Sequence, residues 1–248
     1  MTELVHHDVA NGVGTITLDS PRNRNALSRQ LVTELFARLD AAADDDSRVV
    51  VIRSADRVFC SGADLSEAAG GGMEEGTRAL VDLQRRIVTH PKPVVVRLAG
   101  PVRAGGLGIV AASDIAICAD DVTFAFTESR LGLAPAVISL TVLPRLTSRA
   151  AADTFLSGRT FDAREAATMG LVTRAVPAED LDDEIARVVE DLSLAHPQGL
   201  RETKALLAGD LLARIDARAD DMAALSARLF GSDDAREAMM TFLTRKKS

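Results

Sequence analysis

Val94-Val95-Val96-Arg97-Leu98 runs straight into Ala99-Gly100-Pro101-Val102-Arg103-Ala104-Gly105-Gly106-Leu107-Gly108-Ile109-Val110-Ala111-Ala112. A continuous β-branched run is the pattern of a strand buried on both faces. Small residues follow, and then an apolar run that opens a helix. The stretch therefore reads as strand, tight turn, helix. Val49 to Arg53 followed by Phe59-Cys60-Ser61-Gly62-Ala63-Asp64-Leu65 has the same form. Ile115 to Cys118 and Val122 to Phe126 supply two more strands. Strands alternating with helices predict α/β layering around a largely buried sheet.

Working outward, Val13 to Leu18 alternates as a half-buried strand does. The turn Asp19-Ser20-Pro21-Arg22-Asn23-Arg24-Asn25 follows, and Ser28 is placed to cap a helix through Leu31, Leu35 and Leu39. Asp44-Asp45-Asp46 ends that helix and reads as a solvated turn, since a metal site needs more ligands nearby. From about Thr147 the chain reads as nearly all helix: Ser148 to Leu156, Ala163 to Met169, Leu181 to Leu194, Leu200 to Leu207, Asp210 to Leu229 and Asp234 to Leu243. Gly70-Gly71-Gly72 reads either as the hinge of a lid or as a plain loop.

The composition narrows the function. Of 248 residues, 47% are hydrophobic and 26% charged, which argues against a disordered chain. A net charge of -7, with no Trp or Tyr, disfavours nucleic acid as a partner. Cys60 and Cys118 form neither a disulfide framework nor a metal spacing. The acidic start lacks the features of a signal peptide, and the longest apolar runs fall short of a membrane span. A cytoplasmic protein without a membrane partner is expected.

Two glycine-bearing loops and one carboxylate carry the candidate chemistry. Glycine lets backbone approach a ligand closely, and free N–H groups at a helix start carry partial positive charge. Two such loops facing each other would make an oxyanion hole; each taken alone is an ordinary connector. Gly105-Gly106-Leu107-Gly108 is neither a dinucleotide fingerprint nor a phosphate loop. In Phe124-Ala125-Phe126-Thr127-Glu128-Ser129-Arg130-Leu131-Gly132-Leu133-Ala134-Pro135, Glu128 sits in an apolar run. It reads either as a strand-end residue paired with Arg130 or solvent, or as a catalytic acid raised by desolvation. His6, His7, His90 and His196 match no catalytic spacing. The first two read as surface residues at a fraying start, and the last two, each before proline, as turn residues. Cys60 reads as a packing residue.

The order of these segments resembles the crotonase family, the enoyl-CoA hydratase/isomerase superfamily. The resemblance runs through Pro21 to Leu27, Phe59 to Leu65, Gly100 to Asp114, Thr127 to Pro135, Gly158 to Ala166, Met169 to Val172, Leu200 to Leu207 and the terminal Phe242 to Lys247. It implies a crotonase-like α/β core of stacked β-β-α units over residues 1–190. A C-terminal helical trimerisation region would follow over 191–248, giving a homotrimer or a dimer of trimers. The implied substrate is an acyl-CoA thioester. The Ala63 and Gly105 amides would hold its oxygen, each worth roughly 2.7–4 kcal/mol in a dry site, and Glu128 would be the acid–base group. No metal and no cofactor is then expected, coenzyme A being part of the substrate. Arg22, Arg24 and Ala26 would lie along coenzyme A. Ser61, Gly62, Asp64 and Leu65 would border its path, and Thr127 and Leu131 would complete the substrate-binding set.

One departure matters. Typical hydratases of the family carry a second glutamate where this chain has Gly108. Glu128 alone could move a proton between carbons, as in the Δ3,Δ2-enoyl-CoA isomerases, or hydrate a substrate in a roomier pocket. The stretches around Gly108 and Glu128 resemble bacterial methylglutaconyl-CoA hydratases, which also carry glycine there. Hydration of a 2-enoyl-CoA, with a branched or carboxylated acyl group, is the expectation. Isomerisation is the alternative, and an inactive acyl-CoA binder a second one. Arg103 reads either as the partner of a substrate carboxylate or as a surface arginine.

Overall fold

The computed structural model describes residues 2–64, 67 and 73–245. Leu65, Gly70-Gly71-Gly72 and the terminal Lys246-Lys247 lie outside the described residues. The main sheet is built from β1 (Val5–Ala10), β2 (Val13–Leu18), β3 (Val49–Ser54), β4 (Val94–Leu98), β6 (Ile115–Ala119) and β9 (Arg174–Val176), in the order β1-β2-β3-β4-β6-β9. Only β1 runs antiparallel to its neighbour; Val50, Val51 and Ile52 of β3 align with Val94, Val95 and Val96 of β4. These valines and Ile52 are buried, as expected for strands covered on both faces. A small sheet of β5 (Val102–Arg103), β7 (Thr123–Ala125) and β8 (Thr160–Asp162) lies beyond β4, with β5 and β7 parallel.

Helices cover the sheets. Helix α1 (Arg29–Asp44) starts at Ser28, whose hydroxyl accepts from the Leu31 amide, and buries Leu31, Leu35 and Leu39. Helix α2 (Met73–Thr89) buries Val81, Leu83, Ile87 and Val88. Helix α3 (Gly105–Ala112) is buried along its whole length. Helices α4 (Ser139–Val142), α5 (Ser148–Ser157), α6 (Ala163–Thr168) and α7 (Leu181–Ser193) follow, then the long α8 (Pro197–Phe230) and α9 (Asp233–Arg245). Phe124, Phe126, Phe155 and Phe161 stack in an aromatic seam with centroid separations of 4.6–5.7 Å. Such pairs contribute about 0.5–1.5 kcal/mol each beyond burial. The seam fixes the strand that leads to Glu128.

Four expectations are corrected. The region after Thr147 is not nearly all helix: it supplies β8 and β9, and β9 pairs in parallel with β6 as a strand of the main sheet. Leu200 to Leu207 and Asp210 to Leu229 form one continuous helix, in which Gly209 faces open space. Ile215 and Ala223 of that helix join the sheet's apolar cluster, and α7 runs across residue 190. The first residues do not fray, since His6 and His7 sit in β1 and His7 Nε2 lies 3.1 Å from Asp45 Oδ2. Asp45 is accordingly no simple solvated turn residue: its carboxylate also pairs with Lys92 Nζ at 2.7 Å.

Candidate active site

Two loops leave the carboxyl ends of parallel strands side by side. The Phe59 amide donates to Pro101 O (3.1 Å) and the Arg103 amide to Cys60 O (2.9 Å). Cys60 is buried between them, its thiol pushed up to about 12 by burial, which suits packing and not nucleophilic attack. Gly62 has φ +93°, and a Cβ there would sit 2.8 Å from Ala104 Cβ, so only glycine fits. A Cβ at Gly105 would sit 2.9 Å from Leu27 Cδ1 and 3.9 Å from Ala63 N, which places the two loops in contact. Ala104 takes φ +45° and ψ -120° at the start of α3. A non-glycine residue there costs about 1–3 kcal/mol, a strain found where backbone must be aimed. Among the described residues, neither the Ala63 amide nor the Gly105 amide has an acceptor. Gly105 begins a helix, so its free N–H also carries the positive end of the helix dipole.

The acid arrives from the neighbouring strand. Val102 and Arg103 of β5 pair with Phe124 and Ala125 of β7 in parallel, and the Ala104 amide donates to Ala125 O at 3.2 Å. Gly105 and Glu128 therefore leave the small sheet at the same end, two and three residues past a matched pair. Parallel strands lie about 4.8 Å apart, so the start of α3 and the Glu128 turn follow neighbouring strands at one end of the small sheet. Glu128 opens a short 3-10 turn, Glu128–Leu131, closed by Gly132 at φ +70° and by Leu133 N–H bonding to Glu128 O (2.9 Å). Glu128 Oε2 is shut from solvent and has no hydrogen-bond partner among the described residues. Burial pushes this carboxyl up to about 7, opposed only weakly by a backbone N–H. Arg130 does not pair with it; its guanidinium donates to Ser157 O at 2.8 Å. Of the two sequence alternatives, the desolvated acid is the one present.

The loop Ser20 to Ala26 meets the Cys60 to Asp64 loop. Arg24 and Asn25 take φ +60° and +53°. The strained turn is held by buried Asn25, whose side chain accepts from Ser20 N (2.7 Å) and donates to Val58 O (2.9 Å). Asn23 joins the loops: its amide donates to Asp64 Oδ2 (3.0 Å) and its carbonyl accepts from Ser61 Oγ (3.0 Å). Arg22 and Arg24 are exposed, and neither has an ion pair among the described residues, while Ala26 is buried. The structure thus brings Arg22, Arg24, Ala26, Ser61, Gly62, Ala63 and Asp64 together.

Other candidates sit differently. Thr127 is half-buried before the acid turn. Leu131 packs with Leu133 and Ala235 in a second apolar cluster against α9. Arg103 is half-buried, and its guanidinium donates to Val102 O, Thr123 O and Thr123 Oγ1 (2.9, 2.5 and 2.9 Å), tying β5 to β7. His90 lies buried at its turn, and His196 caps α8 by accepting from Gln198 N, both as expected of residues before proline. No group of three or more His, Cys, Asp or Glu among the described residues could hold a metal ion. No described helix is long and apolar enough to cross a membrane. Sequence reasoning missed Gln84, which is fully buried against Gly108. Its signal was a lone amide inside the apolar stripe Leu80, Val81, Leu83, Ile87.

Residues 8–248 match the family model described as Enoyl-CoA hydratase/isomerase, and the chain belongs to that family, with a crotonase-like α/β fold. The crystal structure of an enoyl-CoA hydratase from Mycobacterium avium is 45% identical, with a TM-score of 0.92 over 99% of this chain and 98% of that one. A second enoyl-CoA hydratase structure, from Mycobacterium avium subsp. paratuberculosis, is 26% identical with a TM-score of 0.87, covering 98% and 96%. Enoyl-CoA delta isomerase 2 of Rattus norvegicus is 29% identical over 95% of this chain and 62% of its own length.

Proposed function

We propose that the protein hydrates a 2-enoyl-CoA thioester, with the thioester oxygen on the Ala63 and Gly105 amides and Glu128 as the sole acid–base group. The Glu128 carboxylate takes a proton from water as the water oxygen bonds to C3. The C2=C3 π electrons move onto the thioester oxygen, where two aimed donors stabilise the enolate. The enolate then reforms the carbonyl, and C2 takes the proton back from Glu128. Water is added across one double bond, and the acid returns to its starting state. A carboxyl raised to about 7 suits both halves of this cycle near neutral pH. The observation that supports this reading is that, among the described residues, the Ala63 and Gly105 amides have no acceptor and the buried Glu128 Oε2 has no donor, with Gly105 and Glu128 following paired strands at one end of the small sheet.

Arg22 and Arg24 would take the coenzyme A phosphates, for which exposed guanidinium groups are suited. With Arg103 committed to Thr123, a branched acyl chain is the finer proposal, with 3-methylglutaconyl-CoA kept as a test substrate. The homotrimer or dimer of trimers belongs to the same proposal: Leu194, Leu206 and Leu207 stand exposed before and along α8. Isomerisation of a 3-enoyl-CoA is the second reading, favoured by the absence of a side chain at Gly108. Incubation with 2-enoyl- and 3-enoyl-CoA panels, read by mass spectrometry, tests both. A gain of one water from 2-enoyl substrates is expected. A shifted double bond at unchanged mass would favour the isomerase, and binding without turnover would leave only an acyl-CoA binder.

A further inference from the structure

Asn25 sits where the turn that carries Arg22 and Arg24 meets the roots of both donor loops. Arg24 and Asn25 take φ +60° and +53° in succession. Asparagine tolerates this left-handed region better than most side chains, but two such residues in a row store strain that the surroundings must hold. The holder is the Asn25 amide, which is 1% exposed. Its Oδ1 accepts from Ser20 N at 2.7 Å and its Nδ2 donates to Val58 O at 2.9 Å. A buried amide needs partners of both kinds, and this one has them.

The clamp reaches both donor loops. Val58 lies against Gly100, where a Cβ would sit 3.2 Å from Val58 Cα and 1.9 Å from Arg57 O. The loop that ends at Gly105 is therefore rooted on the backbone that Asn25 grips. To either side of Asn25, Ser61 N donates to Arg24 O at 3.1 Å and Leu27 N donates to Gly62 O at 2.8 Å. Leu27 also pairs in parallel with Ala63, and its Cδ1 lies 2.9 Å from the Cβ position of Gly105. The arginine turn and the two donor amides form one bonded and packed unit, with Asn25 inside it.

We propose that Asn25 is a positioning residue: it clamps the Arg22–Arg24 turn to the donor loops, so that coenzyme A bound on the turn fixes the Ala63 and Gly105 amides in place. This rests on the thioester reading above. Binding energy from a non-reacting part of a substrate can be used for orientation at the reacting centre, and a misplacement of about 1 Å costs about 10²-fold in rate. A phosphate on the Arg24 guanidinium pulls on a residue whose own carbonyl holds the Ala63 loop. Without the Asn25 amide, the turn is free to relax and the link goes slack.

The test compares the wild type with N25G, N25D, R24Q and the double variant N25G/R24Q. N25G keeps the left-handed backbone and deletes both side-chain bonds. N25D keeps the bond to Ser20 N, loses the one to Val58 O, and carries the comparison if N25G does not fold. Each protein is offered a 2-enoyl-CoA and the same acyl group on N-acetylcysteamine, a thioester that lacks the nucleotide, and kcat is taken per folded enzyme by circular dichroism. The wild type should turn over the CoA ester faster at saturation, and N25G should shrink that advantage in kcat by ~10-fold or more. The double variant should lose no more of it than the larger single loss, since both changes cut one link. A fall in kcat that is equal for both thioesters would make Asn25 merely structural and overturn the proposal. Additive losses in the double variant, or a wild type with no advantage for the CoA ester, would overturn it as well. Wild-type protein that converts neither 2-enoyl- nor 3-enoyl-CoA would instead bring down the thioester reading, a separate outcome.

Discussion

The two ends of the parallel strands treat polar groups in opposite ways. At the amino ends, before β3, β4 and β6, two lysine ammonium groups are matched contact for contact. Lys92 Nζ reaches Asp45 O, Asp45 Oδ1 and Ser47 Oγ (2.7, 2.7 and 3.2 Å). Lys204 Nζ reaches Ile87 O, Lys92 O and Asp114 Oδ2 (3.0, 3.1 and 2.8 Å). Each ammonium has three oxygen partners for its three hydrogens. At the carboxyl ends, among the described residues, two amides lack acceptors and Glu128 Oε2 lacks a donor. Burying the Glu128 oxygen without a partner costs about 1–3 kcal/mol. One end is built for stability, and the other holds groups that a bound substrate would satisfy.

That contrast can be broken from either side. The largest effect is expected at Glu128: Glu128→Gln should lower kcat by about 10²–10⁴-fold while acyl-CoA binding changes little. Steady-state kinetics and calorimetric titration separate the two, and unchanged turnover would remove Glu128 from the chemistry. Ala63→Pro deletes one donor amide and should cost about 10²–10³-fold in kcat with the protein still folded by circular dichroism. At the opposite end, Lys204→Met should leave kcat of the folded fraction unchanged but lower stability by about 3 kcal/mol in urea unfolding. A kcat loss there would dissolve the division of labour between the two ends.

A pH series sharpens the comparison with a smaller effect. The Glu128 carboxyl is raised from 4.5 to about 7 in the folded protein, so between those values the folded state holds a proton that the unfolded state has released. Stability therefore falls as pH rises through this window, and the deficit persists above 7. Glu128→Gln should accordingly be more stable than wild type by about 2 kcal/mol at pH 8, a figure discounted because the residue is half-buried. The gain should vanish near pH 4. Wild-type turnover should fall as pH drops below 7, since the carboxylate is needed as the base.

Much of this was legible in the sequence because the decisive patterns are local. Val49 to Ile52 and Val94 to Val96 can hardly be anything but buried strands, and glycines packed as tightly as Gly62 and Gly105 announce close backbone approach. Glu128 stood out as a carboxylate among Phe126, Leu131 and Leu133. What was hidden depends on tertiary partners. β1 carries His6, His7 and Asp8 and buries only Val5, so no alternation marks it. β8 and β9 are three residues each, and pairing alone makes them strands. Gly209 signals a break, at about 1 kcal/mol relative to alanine, yet packing on both sides of it carries α8 through. Gln84 reads as an ordinary helix residue until Gly108 and Thr141 are brought against it from 24 and 57 positions away.

The most direct test is a crystal structure of the protein with a non-reacting acyl-CoA analogue. The thioester oxygen should lie within about 2.7–3.1 Å of both Ala63 N and Gly105 N, with Glu128 facing C2 and C3 of the acyl chain. A thioester oxygen bound to neither amide, or an acyl chain lying away from Glu128, would contradict the account.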